Sequence, residues 1–70
     1  MNTKPKQQPI ITDDLKAQIL AVRDTGRTNM FVIANVQAIA YEMDYFDLAL
    51  FLENRENHKV YFNFILNGTQ

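Results

Sequence analysis

The chain has 70 residues, 47% of them hydrophobic, with neither cysteine nor serine and a single histidine, His58. This length accommodates one domain. The composition excludes disulfides, cysteine-ligated zinc, serine or cysteine nucleophiles and a histidine-rich metal site within one chain. We therefore predict a non-enzymatic protein with no catalytic residue, no metal and no cofactor.

The charge favours a protein partner over nucleic acid. Seven basic and eight acidic residues give a net charge of −1. Lys4 and Lys6 lie near the N-terminus, which leaves five basic against eight acidic residues from Ile10 onward, or −3. Duplex-binding domains usually carry a basic face. The balance predicts a basic protein partner.

Residues 1–9 predict a disordered N-terminal tail, because they are rich in Lys, Gln and Pro and have no apolar side chain beyond Met1. No apolar segment follows the two lysines, and no apolar run approaches the roughly 18 residues of a membrane span. We therefore predict no signal peptide and no membrane contact. Residues 10–70 then form a single small helical domain.

The first predicted helix begins after Thr12, a good N-cap, and stops at Gly26, which permits a positive φ. Asp13 and Asp14 occupy the first turn, where the helix dipole favours anions. Ile10 and Ile11 precede the cap and could pack back on the helix. One face of this helix is apolar and is predicted to be buried: Leu15, Ile19 and Val22.

A segment of specific composition, Thr-Gly-Arg-Thr-Asn-Met-Phe at residues 25–31, joins this helix to the next. Thr28 and Asn29 can cap the second helix. Met30 and Phe31 are predicted to fill the core beneath the connection.

Arg27 is the strongest candidate for a functional side chain in this segment. Its guanidinium could pair with a carboxylate or phosphate of a partner. It could equally bridge to Asp24 or Glu42, or lie in water. Both interpretations stay open at the level of sequence.

The second predicted helix covers residues 32–43, and the third runs from residue 46 or 47 to 55. Asp44 is predicted to end the second helix, since Asp tolerates the left-handed conformation. The third helix is apolar nearly all round, so it is either buried centrally or presents apolar surface to a partner. The pair partly resembles a helix-turn-helix, but base-reading side chains appear only at Asn54 and Arg55.

Carboxylates cluster at the junction of these helices. Glu42, Asp44 and Asp47 could hold a metal ion, whereas helix capping explains Asp44 and Asp47 without one. With Glu53 and Glu56, they predict an acidic contact surface.

Residues 59–66 fit two patterns. Alternate positions are apolar, as in a strand: Val60, Phe62, Phe64 and Leu66. Other apolar residues share one helical face: Tyr61, Phe64 and Ile65. A strand would require an intermolecular sheet, because no second strand is evident. We favour a fourth helix that ends at Gly68, with His58 exposed in the turn before it.

Together these patterns predict an all-α fold, a compact bundle of three to four short helices. About 60 folded residues make a small core. A homo-oligomer is therefore an open alternative.

The residues at 25–31, at 36–43 and at 64–68 resemble an uncharacterised family, a domain of unknown function in small proteins of phages and mobile elements of gram-positive bacteria. The likeness covers about residues 13–68. The family commonly has an acidic cap where Val32 stands and glycine where Asp44 stands, so the second helix could begin earlier, at Thr28 or Asn29.

The resemblance implies a phage or mobile-element protein in the bacterial cytoplasm, but no established activity. We expect it to bind a host or phage protein, with inhibition of a host defence nuclease as one form of that role. The expected partner-binding residues are Arg27, Asn29, Phe51, Glu53 and Arg55. The alternatives are a nucleic-acid-binding regulator and a self-assembling structural factor.

Overall fold

The computed structural model describes residues 11–68. They form four α-helices, α1 (Asp13–Asp24), α2 (Ile33–Glu42), α3 (Phe46–Glu53) and α4 (His58–Asn67), with a 3₁₀ turn, Arg55–Asn57, before α4. No strand occurs in this range, so the all-α prediction is confirmed, and residues 59–66 are helical. The predicted tail and Ile10 lie outside the described residues.

The helices enclose one apolar core. α2 packs most extensively against α3, and α1 contacts both. The predicted apolar face of α1 is buried. The core consists of Ile11, Leu15, Ile19, Val22, Met30, Val36, Ile39, Ala40, Leu48, Ala49, Leu52, Val60, Tyr61 and Phe64. Within the described range, no helix combines the length and apolar content needed to cross a membrane.

Both ends of α1 are capped as predicted. The Thr12 hydroxyl accepts a hydrogen bond from the Leu15 amide at 3.1 Å, which satisfies one of the free N–H groups of the first turn. At the other end Gly26 adopts φ 66°. The Thr25 hydroxyl donates to the Val22 carbonyl at 2.6 Å and accepts from the Arg27 amide at 3.2 Å. Thr25 thus links the last turn of α1 to the connection that follows.

α2 ends in a Schellman motif with aspartate in the position that usually holds glycine. Asp44 has φ 63° and is the only described non-glycine residue with a positive φ. The Tyr45 amide donates to the Ala40 carbonyl at 2.7 Å, and the Asp44 amide donates to the Tyr41 carbonyl at 3.1 Å. These bonds satisfy carbonyls that the helix end leaves free. The predicted left-handed role of Asp44 is confirmed.

The prediction that Thr28 or Asn29 caps or begins α2 is wrong. The Asn29 side chain instead accepts from the Phe31 amide at 2.8 Å, and the Val32 amide donates to the Asn29 carbonyl at 3.0 Å. This local turn delays the helix to Ile33, because an asparagine side chain that bonds its neighbouring backbone competes with helix formation. Val32 occupies the N-cap position without a side-chain hydrogen bond.

α3 ends at Glu53, two residues earlier than predicted, because Asn54 is extended and its side chain accepts from the Glu56 amide at 3.0 Å. Two carbonyls of its last turn are satisfied by side chains: the Asn57 amide group donates to the Phe51 carbonyl at 2.8 Å, and the His58 Nε2 lies 2.7 Å from the Leu52 carbonyl. His58 is therefore a half-buried capping residue, and the prediction that it is exposed is wrong.

Candidate functional site

Arg27, the strongest candidate from sequence, forms a bridge to the neighbouring helix. Its Nη1 lies 2.5 Å from the Glu42 Oε1, and both side chains are more than half exposed, at 51% and 58%. One of the local roles expected for Arg27 is therefore observed. The bridge uses one of the five N–H donors of the guanidinium, so the side chain retains donors that a partner could accept.

The rest of the α1–α2 connection, residues 25–32, is largely occupied within the chain. Met30 is buried as predicted, and the buried Tyr61 hydroxyl donates to its carbonyl at 2.6 Å. Phe31 is 44% exposed, so the prediction that it fills the core is wrong. Its ring instead stacks on Phe62 at a centroid distance of 5.7 Å. Asn29 is exposed, and its side-chain oxygen holds the local turn.

The expected contact residues at the end of α3 lie in three different environments. Phe51 is half-buried and packs against the core. Glu53 is exposed on the last turn of the helix. Arg55 is exposed in the 3₁₀ turn, and its guanidinium has no ion-pair or hydrogen-bond partner among residues 11–68. Of the three, Glu53 is the one that adjoins an exposed apolar surface.

That surface, which we term the α2–α3 face, consists of Tyr41, Phe46 and Leu50 with the carboxylates of Asp47 and Glu53. The three apolar side chains are 41%, 51% and 61% exposed, respectively. The Tyr41 and Phe46 ring centroids are 6.2 Å apart. Phe46 and Leu50 are neighbours along α3, at the i, i+4 spacing. The face is therefore continuous across the two helices.

Glu53 and its partners order one edge of the α2–α3 face. The Tyr41 hydroxyl donates to the Glu53 Oε2 at 3.1 Å. The Gln37 Nε2 lies 3.3 Å from the same oxygen and donates to the Ala49 carbonyl at 3.0 Å. The hydrogen bond to Glu53, desolvation and the nearby negative charge raise the pKa of the Tyr41 phenol. The carboxylate thus favours the neutral phenol that donates to it.

The electrostatics of this region are acidic. Residues 28–54 contain four carboxylates, Glu42, Asp44, Asp47 and Glu53, and no lysine, arginine or histidine. Arg27 pairs with Glu42 from outside that range. Between residues 11 and 68, no group of three His, Asp or Glu side chains could hold a metal ion, so the junction carboxylates do not form the alternative metal site.

The same region has little that a duplex would bind. In the helix-turn-helix alternative, α3 would be the recognition helix, yet its charged residues are Asp47 and Glu53. Arg55 lies beyond its end, in the 3₁₀ turn. Base readout in the major groove uses Arg, Lys, Asn and Gln side chains for its most specific contacts. The exposed side of α3 offers none of these.

From sequence, α3 is apolar nearly all round, and Phe51, Glu53 and Arg55 are expected to be exposed contacts. The expectation is wrong for Phe51, which is half-buried and packs against the core. The buried side carries Leu48, Ala49 and Leu52. The acidic residues Asp47 and Glu53 mark the opposite side, and Leu50 lies three residues from each. Carboxylates at this spacing were the signal that could have assigned Phe46 and Leu50 to the surface.

The chain was compared with protein-family models, with curated proteins and with solved structures. The last two comparisons gave no match. A family model described as a domain of unknown function, DUF5049, matches residues 11–69. This range includes all four helices and the α2–α3 face. The chain therefore belongs to the DUF5049 family.

Proposed function

We propose that this protein is a small non-enzymatic accessory protein of a phage or mobile element, which binds a host or phage protein in the bacterial cytoplasm. The observation that carries the proposal is the α2–α3 face, where Tyr41, Phe46 and Leu50 are 41%, 51% and 61% exposed. Contiguous exposed apolar groups rimmed by polar residues mark interaction sites in soluble domains. Aromatic side chains are also enriched at protein interfaces.

The location and the phage setting come from the resemblance in sequence, and the binding role comes from the surface. The four helices hold each other through their buried side chains, and Phe46 and Leu50 lie outside that core. Leaving apolar area in water forgoes about 25 cal/mol per Å² that burial would contribute. A partner that covers these side chains would gain that contribution.

A host defence nuclease is the target class that the charge fits best. Such an enzyme must bind a polyanion, and it therefore carries a basic groove. The four carboxylates of residues 28–54 give this protein an acidic surface that such a groove would attract. An inhibitor of this type would occupy the groove in place of the nucleic acid.

The test is a tagged pull-down from a gram-positive host lysate, with and without added nuclease, read by mass spectrometry. We expect one protein enriched at near-equal stoichiometry in both samples. A purified nuclease captured in this way should also lose activity when this protein is added. Enrichment that disappears with nuclease treatment would replace the proposal with the nucleic-acid-binding regulator. Recovery of the bait alone would contradict the host-protein partner.

A matched pair of variants shows whether capture is specific. Leu50→Asp places a charge in the α2–α3 face, and Leu66→Asp places the same charge on α4. Both leucines are largely exposed, at 61% and 68%, so we expect both variants to fold. Binding through the α2–α3 face predicts that Leu50→Asp loses the captured protein, whereas Leu66→Asp keeps it.

A further inference from the structure

We propose that the α2–α3 face receives a basic amphipathic segment of the partner protein. Apolar side chains of the segment would cover Tyr41, Phe46 and Leu50, and its lysine or arginine side chains would pair with Asp47 and Glu53. This inference rests on the proposed function and deepens it, because it names the chemistry of the partner at one defined surface.

The arrangement of the face favours an elongated occupant. Phe46, Leu50 and Glu53 follow one another along α3 at spacings of four and three residues, so they line one side of the helix. Tyr41 runs alongside them from α2, with its ring 6.2 Å from Phe46 and its hydroxyl 3.1 Å from the Glu53 carboxylate. An amphipathic helix binds such an apolar strip through side chains with the same spacing.

The charge of the face selects a basic occupant. Asp47 lies three residues before Leu50, and Glu53 lies three residues after it, so two exposed carboxylates adjoin Leu50 in the apolar strip. No cation within residues 28–54 neutralises them. Lysine or arginine in the occupant would satisfy both carboxylates, and opposite charges across an interface also accelerate association.

The same charge argues against a second copy of this chain. A two-fold dimer through the α2–α3 face would bring the same patch of both copies together. Each copy would contribute the carboxylates of residues 28–54 and no cation from that range. Like charges that face each other across an interface are unfavourable. A duplex or an anionic membrane surface is disfavoured for the same reason.

A nuclear magnetic resonance titration of the full chain tests this assignment. The probe is a short designed helix with leucine on one face and lysine on the other. The control probe replaces each lysine with glutamate. We expect the lysine probe to shift amide signals of α2 and α3 around Tyr41, Phe46 and Leu50, and we expect the glutamate probe to shift none. Raising the salt concentration should weaken the lysine probe's binding.

Variants separate the apolar contribution from the charges. Leu50→Asp should weaken binding of the lysine probe by about tenfold or more, as at a central interface residue. The double variant Asp47→Asn, Glu53→Gln should weaken it about threefold to tenfold, the scale of two exposed ion pairs. Glu53→Gln retains an acceptor for Tyr41. The control double variant Asp13→Asn, Asp14→Asn on α1 makes the same charge change and should leave binding unchanged.

Each other occupant gives a distinct result, and each would overturn the assignment. Three results of the titration would contradict a basic segment at this face. They are equal binding of both probes, no binding of the lysine probe, and shifts centred on Phe31 and Phe62. A dimer by sedimentation that Leu50→Asp dissociates would identify a second copy. A DNA duplex that shifts the same signals would identify nucleic acid. A protein captured from lysate equally by wild type and Leu50→Asp would refute this face while leaving the proposed function standing.

Discussion

The α1–α2 connection and the α2–α3 face differ in how their side chains are used. In the connection, the side chains of Thr25, Arg27, Thr28 and Asn29 all make hydrogen bonds within the chain. On the face, Phe46 and Leu50 are more than half exposed. The unusual composition of the connection is thus explained by local structure, whereas Phe46 and Leu50 lie outside the core. The face is therefore the better guide to function.

The two regions also depend on the core in different ways. The connection is held to the core by the buried hydrogen bond from the Tyr61 hydroxyl to the Met30 carbonyl. The face is fixed from the side, because the Gln18 Oε1 of α1 accepts from the Leu48 amide in the first turn of α3 at 3.0 Å. We term these two hydrogen bonds, from Tyr61 and to Gln18, the tethers of the two regions. Substitutions of Tyr61 and Gln18 test how much each tether stabilises the fold.

The largest effect is expected at the tether of the connection. Tyr61→Phe removes the hydroxyl and leaves the Met30 carbonyl without that donor in a buried setting. We expect a loss of about 1–3 kcal/mol in the free energy of unfolding, the usual cost of a buried carbonyl without a hydrogen-bond donor. Urea unfolding would measure it. Tyr45→Phe is the control, because that hydroxyl makes no hydrogen bond within residues 11–68, and its loss should cost less than about 0.5 kcal/mol.

The same tyrosine should make the fold sensitive to alkali. Burial raises the pKa of the Tyr61 phenol, while the unfolded chain has the ordinary value of about 10. Below that pH both states keep the proton, and this contribution to stability is complete. Above it the unfolded chain releases the proton first, so stability should fall by up to about 1.4 kcal/mol per pH unit. Tyr61→Phe should show a shallower fall, and an identical slope would contradict the burial of this phenol.

The tether of the face gives the next effect. Gln18→Ala removes the acceptor of the Leu48 amide, so α3 loses its tertiary N-cap. We expect a loss of about 0.5–2 kcal/mol in the free energy of unfolding, as for other N-caps. Gln18→Glu keeps an acceptor oxygen and adds a negative charge near a helix N-terminus, so it should retain most of the stability. Equal losses in both variants would show that the cap is unimportant.

This cap illustrates what sequence could not predict. Thr12 and Gly26 were found because their partners lie within a few residues, and local rules describe such caps. Gln18 caps an amide 30 positions away. Its role depends on how α1 packs against α3, and no pattern within either helix encodes that. Tyr45, at the N-cap position of α3, makes no side-chain hydrogen bond of its own.

The errors in the connection have a related cause. Its large apolar side chain predicts Phe31 in the core, but Met30 is the buried residue and the Phe31 ring stacks on Phe62. The Asn29 side chain is of the type that caps helices, but it accepts from the Phe31 amide in a turn that precedes α2. Residue type predicted that these groups form contacts. The partner in each case depended on three-dimensional packing.

The end of α2 offers a smaller effect of opposite sign. Asp44 adopts φ 63°, a conformation that costs a side chain about 1–2 kcal/mol and costs aspartate less than alanine. Asp44→Gly removes that cost but adds about 0.5–1 kcal/mol of backbone entropy to the unfolded chain. We expect a net gain of about 0.5 kcal/mol in the free energy of unfolding by the difference of these terms. Asp44→Ala should lower the free energy of unfolding. If both variants changed the free energy of unfolding in the same direction, the positive φ of Asp44 would be contradicted.

A similarly small effect on stability is expected at Arg27, whose bridge joins the connection to α2. Its bridge to Glu42 joins two side chains that are each more than half exposed, and such pairs contribute about 0.2–1 kcal/mol. Thermal unfolding of Arg27→Ala, Glu42→Ala and the double variant gives the coupling between them. The sequence left open whether Arg27 also contacts a partner, and binding by the same three variants decides this.

If Arg27 contacts the partner, Arg27→Ala should weaken capture of the partner. Glu42→Ala should not weaken it, because that variant leaves the Arg27 cation in place. If Arg27 acts only by holding the connection against α2, both variants weaken capture alike, because either one breaks the same bridge. Unchanged capture in both would assign recognition to the α2–α3 face without the connection. That last result would complete the contrast between a segment whose polar side chains bond within the chain and a surface whose Phe46 and Leu50 side chains lie outside the core.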